Sequence, residues 1–381
     1  EERCKKVSEA VENIAFEGTC LEVRPYGSGH INDTFLVVTQ KPDGATQKWI
    51  LQRINHEIFT NPKELMDNIS SVTAYLKKEI ERNGGDPLRE TLTIIPALDG
   101  GAYYCDSNGS YWRGYAFIQD ATTYDMATPE LFYESAVAFG HFQNMLAAYP
   151  AGSLHETIAN FHNTPLRYEA LEEAVAADVC GRVKEVAAEI AFWRERKEDT
   201  RLLLDRHASG ALPLRVTHND TKLNNVMIDT KTGKGICVID LDTVMPGTSV
   251  YDFGDAVRSG ASTAREDEED LSKVHFDLGM FERFTKGFLE ETRGLLTPEE
   301  IRLLPLGAKI ITLELASRFL ADYLDGDVYF KIHRPDHNLV RARNQIRLVQ
   351  EMEETFPDME EIVSRYGGVP VRCAAGEGPE S

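Results

Sequence analysis

The chain is most informative at first in what it lacks. No apolar run in its 381 residues approaches the roughly 20 needed to span a bilayer. The opening residues, EERCKKVSEAVENIA, have no signal-peptide core, from which a cytoplasmic location is expected. Cysteine is sparse: Cys4, Cys20, Cys105, Cys180, Cys237 and Cys373 are scattered without a C-x-x-C pair. That spacing argues for a set of buried or spectator thiols rather than a disulfide framework. The ten histidines show no metal-ligand spacing such as H-E-x-x-H. Positive charge is also short. A formal charge of −21 argues against nucleic acid or an anionic membrane as partner, because both require a basic face. Part of the excess lies in the run 265–270, REDEED, a polar loop. Repeats and low-complexity blocks are absent.

What is present is a globular composition, 42% hydrophobic and 27% charged, long enough for one large two-lobed unit. Residues 21–38 read as two strands around the turn YGSGHIND, and KWILQRI (48–54) as a third. Asn61-Pro62 opens a helix over 62–83, with Leu65, Ile69, Val72, Leu76 and Ile80 on one face. TLTIIPAL (91–98) and YWRGYAFI (111–118) follow as strands. The order β-β-β-α-β-β is not a Rossmann alternation. Beyond residue 118 helical periodicity dominates, over 129–148, 166–208, 268–293, 298–325 and 336–354, interrupted by β-branched runs at 214–245. The expected fold is α+β. A small antiparallel β lobe with one helix (1–118) precedes a large, mainly helical lobe (119–381), whose tail from about 372 reads as disordered.

The chemistry concentrates at 216–242, VTHNDTKLNNVMIDTKTGKGICVIDLD. His218, Asp220, Lys222 and Asn225 follow the H-x-D-x-K-x-x-N spacing of a phosphoryl-transfer catalytic loop, and a hairpin leads on to Asp240. A returning hairpin strand brings its last residue beside the loop, so Asn225 and Asp240 can share one Mg²⁺. That ion prefers hard oxygen ligands and keeps room for nucleotide phosphates. Asp220 is then placed to accept the proton of a substrate hydroxyl, and Lys222 to neutralise charge on the transferred group. His218 is read as packing for the loop. Singly, these are ordinary turn residues; in register, with the hairpin, they carry the assignment.

On these residues the chain resembles the aminoglycoside phosphotransferase family, small-molecule kinases with a protein-kinase-like fold. Within it the likeness runs to the branch that phosphorylates N-acetylglucosamine or N-acetylgalactosamine at the anomeric hydroxyl. It extends through GSGHINDTF (27–35), WILQRIN (49–55), ETIANFHNTPLRYEAL (156–171), HNDTKLNN (218–225), VIDLDTVMPG (238–247) and RFLADYLDGDVYFK (318–331). The loop match is specific to the superfamily, whereas the others point to the sugar-kinase branch. The resemblance implies ATP and Mg²⁺ as cofactors, with Asp220 catalytic and Asn225 and Asp240 as metal ligands. It implies a nucleotide loop at Tyr26–His30 with Gly27, Ser28 and Gly29, and an adenine-side segment with Phe117 and Ile118. It also implies sugar contacts from Asp220, Arg318 and Tyr329. A small sugar and a nucleotide are the expected partners, and a monomer the expected state.

The chain departs from the kinase pattern in one place. Protein kinases carry a phosphate-binding lysine on the third strand. Here that place falls at Gln52, with Arg53 beside it, and only one of the two faces the nucleotide. Arg318 has a second reading, an ion-pair ladder with Glu314 and Asp322 four residues either side. Another hydroxyl acceptor (an amino alcohol, methylthioribose or an aminoglycoside) is an alternative, and a nucleotide-binding pseudokinase a further one. Finally, the letters DFG at 252–254 mark the metal aspartate of protein kinases, yet they lie twelve residues beyond Asp240. Asp252 is therefore expected to cap the next helix or brace the loop.

Overall fold

The computed structural model describes residues 2–27 and 31–371, so Ser28 and Gly29 of the expected nucleotide loop lie outside the described residues. It has a kinase-like fold, an antiparallel N-terminal sheet region and a larger helical C-terminal region. Two compact units divide the chain. One comprises residues 1–123, 148–159 and 226–246, the other 124–147, 160–225 and 247–381. The sequence drew a single boundary after residue 118; instead the hairpin that follows residue 225 groups with residues 1–123. No helix among the described residues is long and apolar enough to cross a membrane.

The first unit is built on strands β1 (Thr19–Pro25), β2 (Asp33–Gln40), β3 (Thr46–Ile54), β4 (Ile94–Ile95), β5 (Tyr104–Cys105) and β6 (Tyr111–Ala116). Their antiparallel order is β1-β2-β3-β6-β4, with β5 also on β6. Alternation sends Phe35, Val37, Trp49, Leu51 and Trp112 into one core with Val7 and Ala10 of helix α1 (Glu2–Asn13) and with Ile14 just beyond it. That helix was not anticipated from the sequence. Of the expected strand at 91–98 only Ile94–Ile95 forms a strand, with Ala97 held by an isolated bridge to Ile14; Pro96 between them has no amide to extend a ladder. Helix α2 (Pro62–Arg82) follows its expected bounds. The Asn61 side chain accepts from the Glu64 amide, Pro62 occupies the first turn, and Leu65, Ile69, Val72, Leu76 and Ile80 are buried. A single helical turn, α3 (Pro87–Glu90), leads toward β4. A smaller sheet joins β7 (Ala121–Thr122) to the hairpin β9 (Val226–Asp229) and β10 (Gly235–Val238).

The second unit holds α4 (Pro129–Met145), α5 (Thr164–Ala177), α6 (Ala187–Glu195), α7 (Leu202–Ala208), strand β8 (Arg215–Thr217), α8 (Ser249–Gly260), α9 (Leu278–Thr292), α10 (Pro298–Asp325), α11 (His337–Glu354) and α12 (Phe356–Gly367). The periodic stretch 166–208 is not one helix: Asp178 and Gly181 take left-handed backbone and break it. The stretch at 268–293 becomes α-helical only at Leu278, after a 3₁₀ turn at Leu271–Lys273, and Asp277 caps it by accepting from the Met280 amide. Helix α10 begins with a capping box between Thr297 and Glu300.

Candidate active site

The loop 218–225 lies wholly in the second unit and is held from beneath by α8. Asp252, buried in the first turn of that helix, accepts hydrogen bonds from the backbone amides of His218 and Asn219, each at 2.8 Å, and from Gln143 Nε2 at 3.0 Å. Thr221 donates its hydroxyl to the Asp252 carbonyl (2.6 Å) and its amide to Asp255 (3.2 Å). Burial pushes the Asp252 carboxyl up, although His218 and these donors act against it. Asn219 takes a left-handed φ of 66°, a conformation asparagine tolerates. The His218 ring is fully buried, edge-on to Phe139 and Phe142, and its Nδ1 lies 3.2 Å from the Asp220 amide, which donates to it. The backbone is thus fixed on both sides of Asp220, while its side chain keeps 22% exposure and meets Lys222 Nζ at 3.4 Å.

At the loop's end, Asn225 Nδ2 donates to the Asp220 carbonyl at 2.8 Å. With its NH₂ committed, the amide's oxygen is the pole left to bind a cation, which suits a magnesium ligand. No group of three or more His, Cys, Asp or Glu side chains is placed to hold a metal ion among the described residues. A Mg²⁺ completed by phosphates and water needs no such cage.

Asp240 belongs to the first unit. In the hairpin Val238 pairs with Val226, so the returning chain comes back to the hairpin's start just before Asp240. Asp240 adopts a left-handed φ of 56° and opens the turn Leu241–Thr243. Within that turn Asp242 is 3% exposed and receives Arg113 Nη1 at 2.5 Å and Nη2 at 2.9 Å, besides Asn32 Nδ2 at 2.6 Å. Arg113 stands on β6 directly opposite Gln52 on β3. Gln52 Oε1 accepts from Arg113 Nε (3.0 Å) and Nη2 (2.8 Å), and Gln52 Nε2 donates to Thr34.

The two third-strand alternatives therefore separate. Gln52 lies on the face with Arg113 and Asp242, whereas Arg53 points to the other side and is ion-paired, half-exposed, with Asp33. Phe117 meets Tyr26, beside Gly27, ring edge to face at 6.0 Å; Lys48 lies 5.4 Å from the Phe117 ring, and Ile118 is buried. Gly27 has φ 77°, where a side chain would be strained.

In the second unit Arg318 and Tyr329 meet. The Arg318 guanidinium lies 5.6 Å from the Tyr329 ring and 5.3 Å from Phe330, with a long 3.5 Å contact to the Tyr329 hydroxyl. The expected ladder does not form. Glu314 is buried and bound to His162 Nδ1 (3.2 Å) and Thr164 (2.8 Å). Asp322 accepts the backbone amides of Val328, Tyr329 and Phe330. A second guanidinium, Arg167, lies near Arg318, and burial and then the Arg318 charge push its pKa down. Its buried Nε has no hydrogen-bond partner, nor have His162 Nε2 and the Tyr251 hydroxyl. The His162 and Tyr251 rings stack at 4.8 Å.

Arg113, Asp242, Arg167 and His162 were not singled out from the sequence. For Arg113 a signal existed, one charge inside the otherwise apolar strand YWRGYA.

The DFG letters have structural roles throughout. Asp252 braces the loop, and Phe253 packs among Phe281, Phe284 and Phe288. At Gly254 a Cβ would come within 2.5 Å of the Gly307 carbonyl oxygen of α10.

A family model described as the phosphotransferase enzyme family (APH) matches residues 22–285. Among solved structures the chain is similar to a microcompartment-associated aminopropanol kinase (TM-score 0.62, 16% identity, 94% of this chain and 98% of that one). It is also similar to an aminoglycoside phosphotransferase from Alicyclobacillus acidocaldarius (0.59, 11%, 95% and 96%). A third is an amicoumacin kinase in complex with AMP-PNP, Ca²⁺ and Ami (0.57, 13%, 93% and 93%). At these identities the likeness is one of fold.

Proposed function

The chain belongs to the phosphotransferase enzyme family, and from that premise we propose that it transfers the γ-phosphoryl group of ATP to the anomeric hydroxyl of an N-acetylhexosamine. The Asp220 carboxylate, on a backbone held by Asp252 and His218, accepts a hydrogen bond from that hydroxyl and orients its oxygen in line with the γ-phosphorus. As the new O–P bond forms and the bond to the ADP oxygen breaks, the proton passes to Asp220. Lys222, 3.4 Å from Asp220, offsets charge on the moving group. Asn225 and Asp240 are the proposed Mg²⁺ ligands; bound there, the ion supplies positive charge against the phosphate oxygens. Gly27, Ser28, Gly29, Phe117 and Ile118 are proposed for the nucleotide.

The observation that favours a sugar over an amine is the charge of the Arg318 cluster. It sets two guanidiniums, Arg167 and Arg318, against one carboxylate, Glu314, which is already turned to His162 and Thr164. A cationic acceptor is repelled there. A neutral acceptor rich in carbonyl and hydroxyl oxygens gains charge-assisted hydrogen bonds. Stacked against Tyr251, His162 extends this cluster to the residue next to Asp252, and Asp252 carries the catalytic loop. Screening neutral sugars, amino alcohols, methylthioribose and aminoglycosides by ADP release, with NMR of the phosphorylated carbon, tests the proposal. Phosphorylation at C1 of an N-acetylhexosamine is expected. Turnover confined to amine-bearing acceptors overturns the sugar reading, and no turnover with any acceptor favours a non-catalytic nucleotide binder.

A further inference from the structure

The third-strand lysine is absent, but its place is not vacant: Gln52 there is an acceptor for a guanidinium from the next strand. Arg113 sits opposite Gln52 in the β3–β6 register, and neighbours in register on one sheet face lie about 5 Å apart. Arg113 is 2% exposed and uses both sides of its fork, Nε and Nη2 on Gln52 and Nη1 and Nη2 on Asp242. Asn32, at the exit of the nucleotide loop, donates to the same Asp242 carboxylate, and its own Oδ1 accepts the Asn55 amide at 2.8 Å. The Asp242 carbonyl in turn accepts the Thr157 hydroxyl at 3.2 Å. One buried carboxylate thus joins the loop between β1 and β2, the centre of the sheet and the turn that begins at Asp240.

A buried ion pair is weak evidence for stability, because desolvating both charges offsets most of their attraction. Burial works against the Arg113 charge, and Asp242, with a smaller contribution from Asp240, holds it protonated. Asp240 stands two residues before Asp242 in a left-handed conformation, one that aspartate adopts more readily than most side chains. The bidentate Arg113–Asp242 contact ties down the same short turn. It is a geometric task that a point charge on lysine does not perform equally well.

We propose that Arg113 is a positioning residue for the nucleotide–magnesium site. From β6 it clamps Asp242, thereby fixing the direction of the Asp240 carboxylate and the exit of the nucleotide loop. This assignment rests on Asp240 being a metal ligand.

The test is calorimetric titration of ADP into the full chain over a series of Mg²⁺ concentrations and in EDTA, with thermal melting alongside. Arg113→Lys should raise the Mg²⁺ needed for half-maximal gain in ADP affinity by about 10- to 100-fold, the usual effect of losing a residue that orients a ligand. Binding in EDTA should be unchanged. If Arg113→Lys melts early but keeps the wild-type Mg²⁺ requirement, the pair is structural and the proposal fails. If that variant does not fold, Arg113→Gln/Asp242→Asn removes both charges together and leaves no unpaired ion. A raised Mg²⁺ requirement in the double variant supports the proposal, and a wild-type one overturns it. Asp240→Asn serves as the reference. Should it keep the wild-type Mg²⁺ requirement, the ligand reading of Asp240 fails and takes the Arg113 assignment with it. Loss of the requirement in Asp240→Asn but not in Arg113→Lys removes Arg113 alone.

Discussion

The carboxylate of Asp252 and the backbone amide of His218, 34 positions apart in the chain, meet at 2.8 Å. With the matching bond to Asn219, this makes the first turn of α8 the floor of the loop 218–225. Asp252→Ala leaves two buried amides without an acceptor, a loss of about 1–3 kcal/mol for each. Denaturant unfolding should show a large drop in stability. Mg²⁺-dependent ADP binding by the folded fraction should persist. The reverse pattern would make Asp252, and not Asp240, the metal ligand.

Asp220→Asn keeps the shape of the side chain and removes the proton acceptor. Turnover should fall by about 100- to 10,000-fold, the range ascribed to a positioned general base, while ADP binding by calorimetry stays at the wild-type value. A variant with normal turnover would show that another group takes the proton.

Arg318→Ala and Arg167→Ala should each raise the KM for the sugar about tenfold, equivalent to about 1.4 kcal/mol for one lost charged hydrogen bond. The KM for ATP should not change. Loss confined to the ATP KM would place these guanidiniums at the nucleotide instead.

Gly254→Ala brings a methyl group to within 2.5 Å of the Gly307 carbonyl oxygen. The α8–α10 crossing must then spread, at a cost of about 1–3 kcal/mol. Differential scanning calorimetry should register a lower Tm with nucleotide affinity retained. Unchanged stability would mean that the two helices separate freely.

Glu300 makes stability pH-dependent. Burial alone pushes its carboxyl up, but the Arg215 guanidinium, the Thr297 amide and the Ser249 hydroxyl together bring it below the ordinary value. A depressed folded pKa stabilises the protein above the unfolded glutamate value of about 4.3. That contribution is lost as pH falls through the lower folded value. The stability gap between wild type and Glu300→Gln should therefore be full at neutral pH and shrink below about pH 4.3. A gap that is constant with pH would show that the pairing with Arg215 does not depend on the ionised form.

The helix over 62–82 was legible because its signals are local: a capping Asn61, Pro62 after it, and apolar residues three and four apart. The breaks between 164 and 208 were less so, since the left-handed turns at Asp178 and Gly181 interrupt a pattern that stays helical on either side. In the site, Asp220, Lys222 and Asn225 could be proposed from spacing alone because one short loop carries them. Arg113 was not, as nothing local ties it to Asp242, 129 positions away. Arg318 shows the converse: Glu314 and Asp322 stand at ion-pair spacing, yet Thr164, His162 and three backbone amides claim their carboxylates first.

By itself, then, the sequence determined the class of chemistry, because a catalytic loop and a hairpin return are short-range constructions whose residue types and intervals survive in one dimension. Only the tertiary structure decided which residues hold those elements in place. It gave the literal DFG to a buried floor and a helix crossing. It placed the cation opposite the third strand on its neighbour and left two guanidiniums with a single carboxylate. Each outcome depends on which of several competing partners lies within hydrogen-bond distance after packing, and packing brings together side chains that the sequence keeps far apart.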